Sequence, residues 1–169
     1  RKLLTPHLSI PVKNYLYLQK GILCLANCDI DARQFQQSAR AGLAHCKNGD
    51  LWQAHSAFNR AVSLWKGAMP EDTFRSEKAL MFNDSLTDLM MEVGSTWAKN
   101  LAEADRLEEA IAILERILHI NSLEEELTLL LYSYHCRNNN HLKAREILEQ
   151  YRKALLKAEY TPEETDSFI

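Results

Sequence analysis

The sequence predicts an all-α fold, an array of antiparallel helix hairpins preceded by a short β-hairpin. Glycine (5) and proline (4) are scarce among the 169 residues. Together they make up about 5% of the chain, against roughly 12% in average proteins, which disfavours a turn-rich β-sandwich. From Asp31 onward, apolar residues recur with the period of an α-helix. Small residues also recur at matching places in successive helices, and a chain of this length can bury a sizeable core.

The first 27 residues differ from the rest because they contain three short extended pieces instead of helical periodicity. These pieces are Leu8 to Val12, Tyr15 to Leu18 and Ile22 to Leu25. Gln19-Lys20-Gly21 joins the last two, and a three-residue connection that contains glycine is typical of a β-hairpin. We therefore interpret residues 1–27 as the remnant of a preceding domain or a linker with short strands, and residues 28–169 as the helical domain.

The first predicted helix hairpin follows from its start and stop signals. Asp31 can cap a helix that runs to about Lys47, where Asn48-Gly49-Asp50 interrupts it. A second helix starts at Leu51 and ends at Lys66-Gly67, since glycine readily adopts the left-handed conformation that stops a helix.

After Pro70 a long helix is predicted from one apolar stripe, formed by Leu86, Leu89, Met90, Val93, Trp97 and Leu101. Because Trp97 lies on this stripe, and Trp65 has a similar helical register, we interpret both tryptophans as core residues and not as partner anchors.

Three further helix starts are predicted toward the C-terminus. Asp105 with Glu108, and Ser122 with Glu125, have the spacing of a capping box. Asn138-Asn139-Asn140 forms the turn into the last of six main helices. Thr161-Pro162-Glu163-Glu164 resembles the start of one more helix, with proline at its first position.

The predicted hairpins share a repeat. Ala54, Ala110 and Ala144 each follow a turn by about five residues, and the last two are 34 residues apart, which is the tetratricopeptide period. The first interval is 56 residues, one period plus 22. Twelve residues before each alanine, two of the three residues are small: Gly42 and Ala98, but Tyr132. Large apolar residues follow four positions after the alanine, Phe58, Leu114 and Leu148, and seven positions after it lie Ala61, Ile117 and Tyr151. Two helices cross closely only where one side chain is small, so the pattern predicts a tetratricopeptide-like array.

Several segments resemble the bacterial transcriptional activator domain, the helical arm of antibiotic-regulatory-protein-type regulators. The strongest is Leu64-Trp65-Lys66-Gly67, similar to the family's LW-x-G segment. The others are Asn14 to Leu18, Cys28 to Asp31 with Phe35, Ser122 to Leu127, Asn140 to Leu155, and Tyr160 to Glu163. The resemblance implies a non-catalytic regulatory arm preceded by a winged-helix DNA-binding domain. Residues 1–27 would then be the remnant of that domain.

An array of this kind presents the first helix of each hairpin toward a concave groove. The repeat register predicts these groove residues: Gln36, Ala39, Leu43, Glu92, Ser95, Lys99, Glu126, Leu129 and Ser133. Exposed Leu43 and Leu129 would suit a bound helix or peptide. Alternatively, the array's own terminal helix covers these positions.

Direct DNA contact is expected to be minor. The formal net charge is −3 and the pI about 6.1, whereas a domain that coats nucleic acid has a basic surplus. Arg1, Lys2, Lys13 and Lys20 are candidate contacts to the DNA backbone, although four scattered bases are more often a solvated surface. Contact with DNA is therefore expected mainly through an adjacent domain outside this chain.

Catalytic, cofactor, metal and membrane signals are not found in the sequence. No Gly-rich phosphate loop, HExxH or GxSxG is present. The close pair Cys24 and Cys28 lacks a matching second pair, and Asp29 with Asp31 is better explained by capping. We expect no enzyme, no cofactor and no metal, and a cytoplasmic protein with reduced thiols.

Two functions fit these expectations. The first is the arm of a bacterial transcription regulator that mediates self-association or partner contact and couples it to DNA binding by the neighbouring head. The alternative is a stand-alone tetratricopeptide adaptor that binds a peptide or partner helix in its groove. An accessory domain of an enzyme is a third and weaker hypothesis.

Overall fold

The computed structural model describes residues 16–25, 30–69, 76–161 and 165. Two strands are followed by six helices: β1 (Leu16–Gln19), β2 (Ile22–Leu25), α1 (Asp31–Lys47), α2 (Leu51–Leu64), α3 (Glu77–Glu103), α4 (Leu107–Ile120), α5 (Glu125–Arg137) and α6 (His141–Lys157). The predicted all-α class with a short β-hairpin before it is confirmed.

The β-hairpin is antiparallel, with Leu16 opposite Leu25 and Gln19 opposite Ile22. Gln19 belongs to β1, so the connection is two residues long and not three as expected. Lys20 and Gly21 both have positive φ, +49° and +80°. This is the pattern of a type I′ turn, whose twist matches that of the flanking strands. The extended piece predicted at residues 8–12 lies outside the described residues.

The helices pack as three adjacent pairs: α1 with α2, α3 with α4, and α5 with α6. Each pair is joined by a turn of only three residues, which makes its helices antiparallel. Helix α3 also contacts both α1 and α5, so the first helices of the three pairs form one layer. We call the solvent-facing side of this layer the first-helix face.

The backbone repeats with the predicted register. One residue in each turn within a pair has a left-handed φ: Gly49 (+80°), Asp105 (+60°) and Asn139 (+54°). The next N–H donates to the carbonyl five residues earlier, over 2.9 Å from Asp50 to His45, 2.8 Å from Arg106 to Leu101 and 2.8 Å from Asn140 to His135. These are Schellman-type helix ends, and each left-handed residue precedes the repeat alanine by five positions.

The predicted small positions lie in the core. Ala54, Ala110 and Ala144 are at most 2% exposed. Gly42 and Ala98 are buried as well, but Tyr132 and Leu148 are only partly buried. At Gly42, a β-carbon would overlap the Phe58 ring, so glycine is needed there for close packing of α1 on α2.

Three predicted helix caps are wrong. Asp31 lies within α1 after the N-cap Ile30, and Asp105 occupies the left-handed turn before the N-cap Arg106. Helix α5 starts only at Glu125, two residues after the turn residue Leu123, so Ser122 is too far away to cap it. Side-chain caps occur instead at Ser76, which accepts from Ala79 N at 3.3 Å, and at Asn140, which accepts from Lys143 N at 3.3 Å.

The end of the described chain agrees with the predicted further helix start. The Thr165 N–H donates to the Thr161 carbonyl over 2.9 Å, which is the bond of a first α-helical turn, and Thr165 is fully buried. Residues 162–164 between them are outside the described residues. In the part of the chain that is described, no helix combines the length and the apolar character that a membrane crossing requires.

Candidate partner-binding face

The predicted groove residues lie on α1, α3 and α5, the first helices of the three pairs. Five of the predicted residues are exposed and Gln36 is half-buried. The exposed ones are Glu92, Lys99, Glu126, Leu129 and Ser133. Leu129 is 42% exposed, as the sequence led us to expect, and it is a large apolar side chain between the exposed polar residues Glu126 and Ser133 of α5.

Three of the predicted groove residues have buried side chains. Ala39 is 0% exposed, Ser95 7% and Leu43 9%. Helix α1 packs on α2 and on α3, so its apolar stripe is buried from two sides. The expectation that Leu43 is exposed is therefore wrong, and Ala39 and Ser95 are not accessible to a partner.

Polar contacts link α3 to α5 across the first-helix face. The Ser95 hydroxyl donates to Glu126 Oε1 over 2.8 Å, and Lys99 Nζ donates to the same oxygen over 3.3 Å. These two donors, the hydroxyl first, lower the pKa of the Glu126 carboxyl. Lys99 and Glu126 are already partners of each other, so the α3–α5 boundary is closed by its own side chains.

The boundary between α1 and α3 is open and forms a cleft of about 520 Å³. Its α1 wall contains Arg40 and Lys47, and its α3 wall contains Asp88 and Glu92. Leu43 and Leu89 form its apolar floor, since Leu43 is buried and Leu89 half-buried. We call this site the α1–α3 cleft. Within the described ranges no ion pair joins its two walls.

The acidic wall extends toward α5. Glu124, the N-cap of α5, has a pKa raised mainly by burial, with a smaller contribution from the Asp88 carboxylate. A side-chain hydrogen bond with Asn121 partly opposes this increase. Asp88 and Glu124 are therefore near enough for their like charges to interact.

Of the four candidate DNA contacts, the structure describes only Lys20. It lies exposed at the tip of the β-hairpin, in the turn between β1 and β2. Arg1, Lys2 and Lys13 lie outside the described residues, so their proximity to Lys20 stays a prediction.

Trp65 and Gly67 join the end of the first pair to the turn between α4 and α5. The Trp65 ring is buried and lies 5.2 Å from the Phe35 ring, and its Nε1–H donates to Asn121 Oδ1 over 3.2 Å. Gly67 has a φ of +101°, and a β-carbon there would lie 3.2 Å from Ile120. Helix α2 itself ends at Leu64, earlier than the predicted Lys66-Gly67.

Trp97 is also a core residue, as predicted. It is 2% exposed, and its Nε1–H donates to His55 Nδ1 over 3.1 Å. Its ring also lies 5.8 Å from the Phe58 ring, which links α3 to α2.

The sequence interpretation missed two buried polar residues, Asn83 and His135. Asn83 is 8% exposed and bonds to both the N–H (3.0 Å) and the C=O (3.3 Å) of Met69. His135 is 3% exposed and has no hydrogen-bond partner for either ring nitrogen among the described residues. Its nearest charged group is Glu115, at 3.7 Å from Nε2.

It also missed the charged residues Arg40, Lys47 and Asp88 of the α1–α3 cleft. The signal that could have found them is their spacing, since Arg40, Leu43 and Lys47 share one side of α1, as Asp88 and Glu92 do on α3.

No group of His, Cys, Asp and Glu side chains suited to a metal ion occurs among the described residues. A search of curated proteins gave no match to the chain. A comparison with protein families matches residues 30–164 to the bacterial transcriptional activator domain, a regulatory and not a catalytic family. The match covers most of the chain and all six helices. The chain therefore belongs to the bacterial transcriptional activator domain family, which places it in a transcription regulator of the activator type.

Proposed function

We propose that this chain is the regulatory arm of its transcription regulator and mediates protein–protein contacts that position or activate an adjacent winged-helix DNA-binding domain. The observation that carries the proposal is the family match combined with an open first-helix face. On that face α5 exposes Leu129, and the α1–α3 cleft exposes charges that form no ion pair with the residues that the structure describes. The expected location is the cytoplasm, where bacterial DNA is found.

The proposed mechanism is geometric. A rigid array of helix pairs fixes the distance and direction between its partner-binding face and a DNA-binding head at its N-terminal end. If the partner is a second copy, the symmetry of the pair sets the spacing of the two DNA half-sites. Contact with DNA through Lys20 and its predicted neighbours adds little, given the net charge of −3.

The test compares the full regulator with a version that lacks the segment corresponding to residues 30–164. We expect the shortened protein to bind its promoter with nearly unchanged affinity but to lose activation of a reporter gene. Unchanged activation without the arm would refute the proposal. Light scattering over a concentration series identifies whether the partner is a second copy or another protein.

The stand-alone adaptor is the alternative that this experiment separates. It predicts no neighbouring DNA-binding head in the parent protein, and partner capture that depends only on the first-helix face. A parent protein that binds no DNA would favour it.

A further inference from the structure

The α1–α3 cleft has walls of opposite charge that face each other without pairing. Arg40 and Lys47 on α1 are exposed, as are Asp88 and Glu92 on α3. At the neighbouring α3–α5 boundary, by contrast, the Lys99 ammonium and the Glu126 carboxylate already form an ion pair. Among the described residues, the α1–α3 cleft is therefore a place on this face where charges of both signs are left for a partner.

We infer that the α1–α3 cleft binds an amphipathic helix of a partner protein, with an acidic flank against α1 and a basic flank against α3. This inference rests on the proposed function, because it names the partner chemistry of the proposed face. Charge complementarity favours this partner, because only a helix with two different flanks finds attraction on both walls. An apolar stripe between the flanks would contact the half-buried Leu89 on the floor and the 9% of Leu43 that stays exposed.

The same arrangement fixes the direction of the bound helix. Reversing a helix end to end in a groove exchanges its left and right flanks. A helix with one acidic and one basic flank therefore has attractive contacts in one direction and repulsive contacts in the other. A cleft with two walls of the same charge would not make this distinction.

The test uses three synthetic helical peptides of about 18 residues, or five turns. All three have the same leucine stripe. The first has Glu on one flank and Lys on the other, the second has Glu on both flanks, and the third has Lys on both. We expect the first peptide to bind this chain about tenfold more tightly than either of the others, because only its flanks are attracted to both walls. The preference is no larger because each exposed charge pair contributes little alone. Added salt should reduce that preference.

Reversing one wall should change the preferred peptide. The double variant Arg40→Glu/Lys47→Glu makes both walls acidic and should prefer the peptide with Lys on both flanks. Asp88→Lys/Glu92→Lys makes both walls basic and should prefer the peptide with Glu on both flanks. All four side chains are exposed, so the fold should persist, which circular dichroism checks.

Matched variants on α6 control for overall charge. Lys153→Glu/Lys157→Glu and Glu146→Lys/Glu149→Lys change the net charge equally at exposed positions. They should leave the peptide preference as it is in the unmodified chain.

Three results would overturn the inference: no binding of any peptide, no preference for the first peptide, or equal effects of the cleft and α6 variants. A dimer that dissociates in the Arg40→Glu/Lys47→Glu variant would instead identify a second copy as the occupant, and would also overturn it. The peptide measurements use this chain alone, so their failure is distinct from a failure of the activation test on the full regulator.

Discussion

Replacing Gly42 by alanine should destabilise the chain, even though alanine is the better helix former. The added β-carbon would overlap ring atoms of Phe58, which is 1% exposed and lies under α1. Overpacking of this kind costs about 1–3 kcal/mol or somewhat more, whereas the change from glycine to alanine inside a helix gains about 1 kcal/mol. The ring is buried and packs 5.8 Å from the Trp97 ring, so we expect the overpacking cost to exceed the helix gain. The net loss should be up to about 2 kcal/mol.

Gly94 provides the matched control, because it is also a buried helical glycine. A β-carbon there would lie 3.0 Å from Ile117 Cδ1 and 3.2 Å from Leu127 Cδ1. These are terminal methyl groups of aliphatic side chains, and a shift of a few tenths of an ångström would relieve both contacts. The Gly94→Ala variant should therefore stay within about 0.5 kcal/mol of the unmodified chain.

Urea denaturation followed by circular dichroism measures both variants, and an unchanged slope shows that only stability has changed. A second substitution, Phe58→Leu, removes the ring and should reduce the penalty of Gly42→Ala in a double-mutant cycle. The reasoning is refuted if Gly42→Ala is as stable as Gly94→Ala, or if its penalty is the same with and without the Phe58 ring.

Three further predictions follow from the contacts described above. Trp65→Phe should cost about 1–2 kcal/mol, and a double-mutant cycle with Asn121→Ala should give a coupling of about 1 kcal/mol if the indole–amide bond contributes; additive effects would contradict it. His135→Leu should raise the free energy of unfolding by about 1 kcal/mol and so move the urea midpoint upward, because it removes a buried imidazole without a hydrogen-bond partner in the described ranges; a lower midpoint would contradict it. Glu126 has a lowered pKa, so its stabilising effect exists at neutral pH and is lost as the pH falls through its folded-state pKa. Glu126→Gln should therefore be slightly less stable than the unmodified chain at pH 7, and the gap should close as the pH falls below the lowered folded-state pKa of Glu126, while a gap that persists in strong acid would exclude the ionised carboxylate as its cause.

The repeat could be predicted from sequence because it is a matter of spacing. Ala54, Ala110 and Ala144 occupy equivalent buried positions in their helix pairs, where close packing of two helices requires a small side chain. A left-handed turn residue precedes each of them by five positions. Neither fact requires knowledge of which helices meet. The hairpin pairing then follows from the short turns alone.

The helix starts were less predictable, because the residue types that cap helices are also favoured in turns. Asp105 is a good N-cap residue, but its tolerance of a positive φ makes it equally suitable for the left-handed turn position that it occupies. Ser122 lies in a turn, so α5 begins later than the capping-box pattern indicated.

The candidate site was only partly predictable, because it depends on which side of α1 is covered. Repeat counting placed Leu43 on an open groove, but packing on both α2 and α3 buries it and leaves the neighbouring Arg40 exposed. Trp65 and Asn121 are 56 residues apart in the sequence, and the local periodicity of apolar residues cannot predict a contact between residues so far apart.

The most direct test of the account is the amount of transcription per DNA-bound regulator when the first-helix face is altered. Leu129→Glu changes a 42% exposed leucine on that face, and Leu142→Glu changes a 72% exposed leucine on α6 as a matched control. Promoter occupancy and reporter output are measured in the same cells. We predict that Leu129→Glu lowers output several-fold at unchanged occupancy, while Leu142→Glu changes neither. Equal output from both variants, or a loss that follows occupancy, would contradict a partner-binding role for this face.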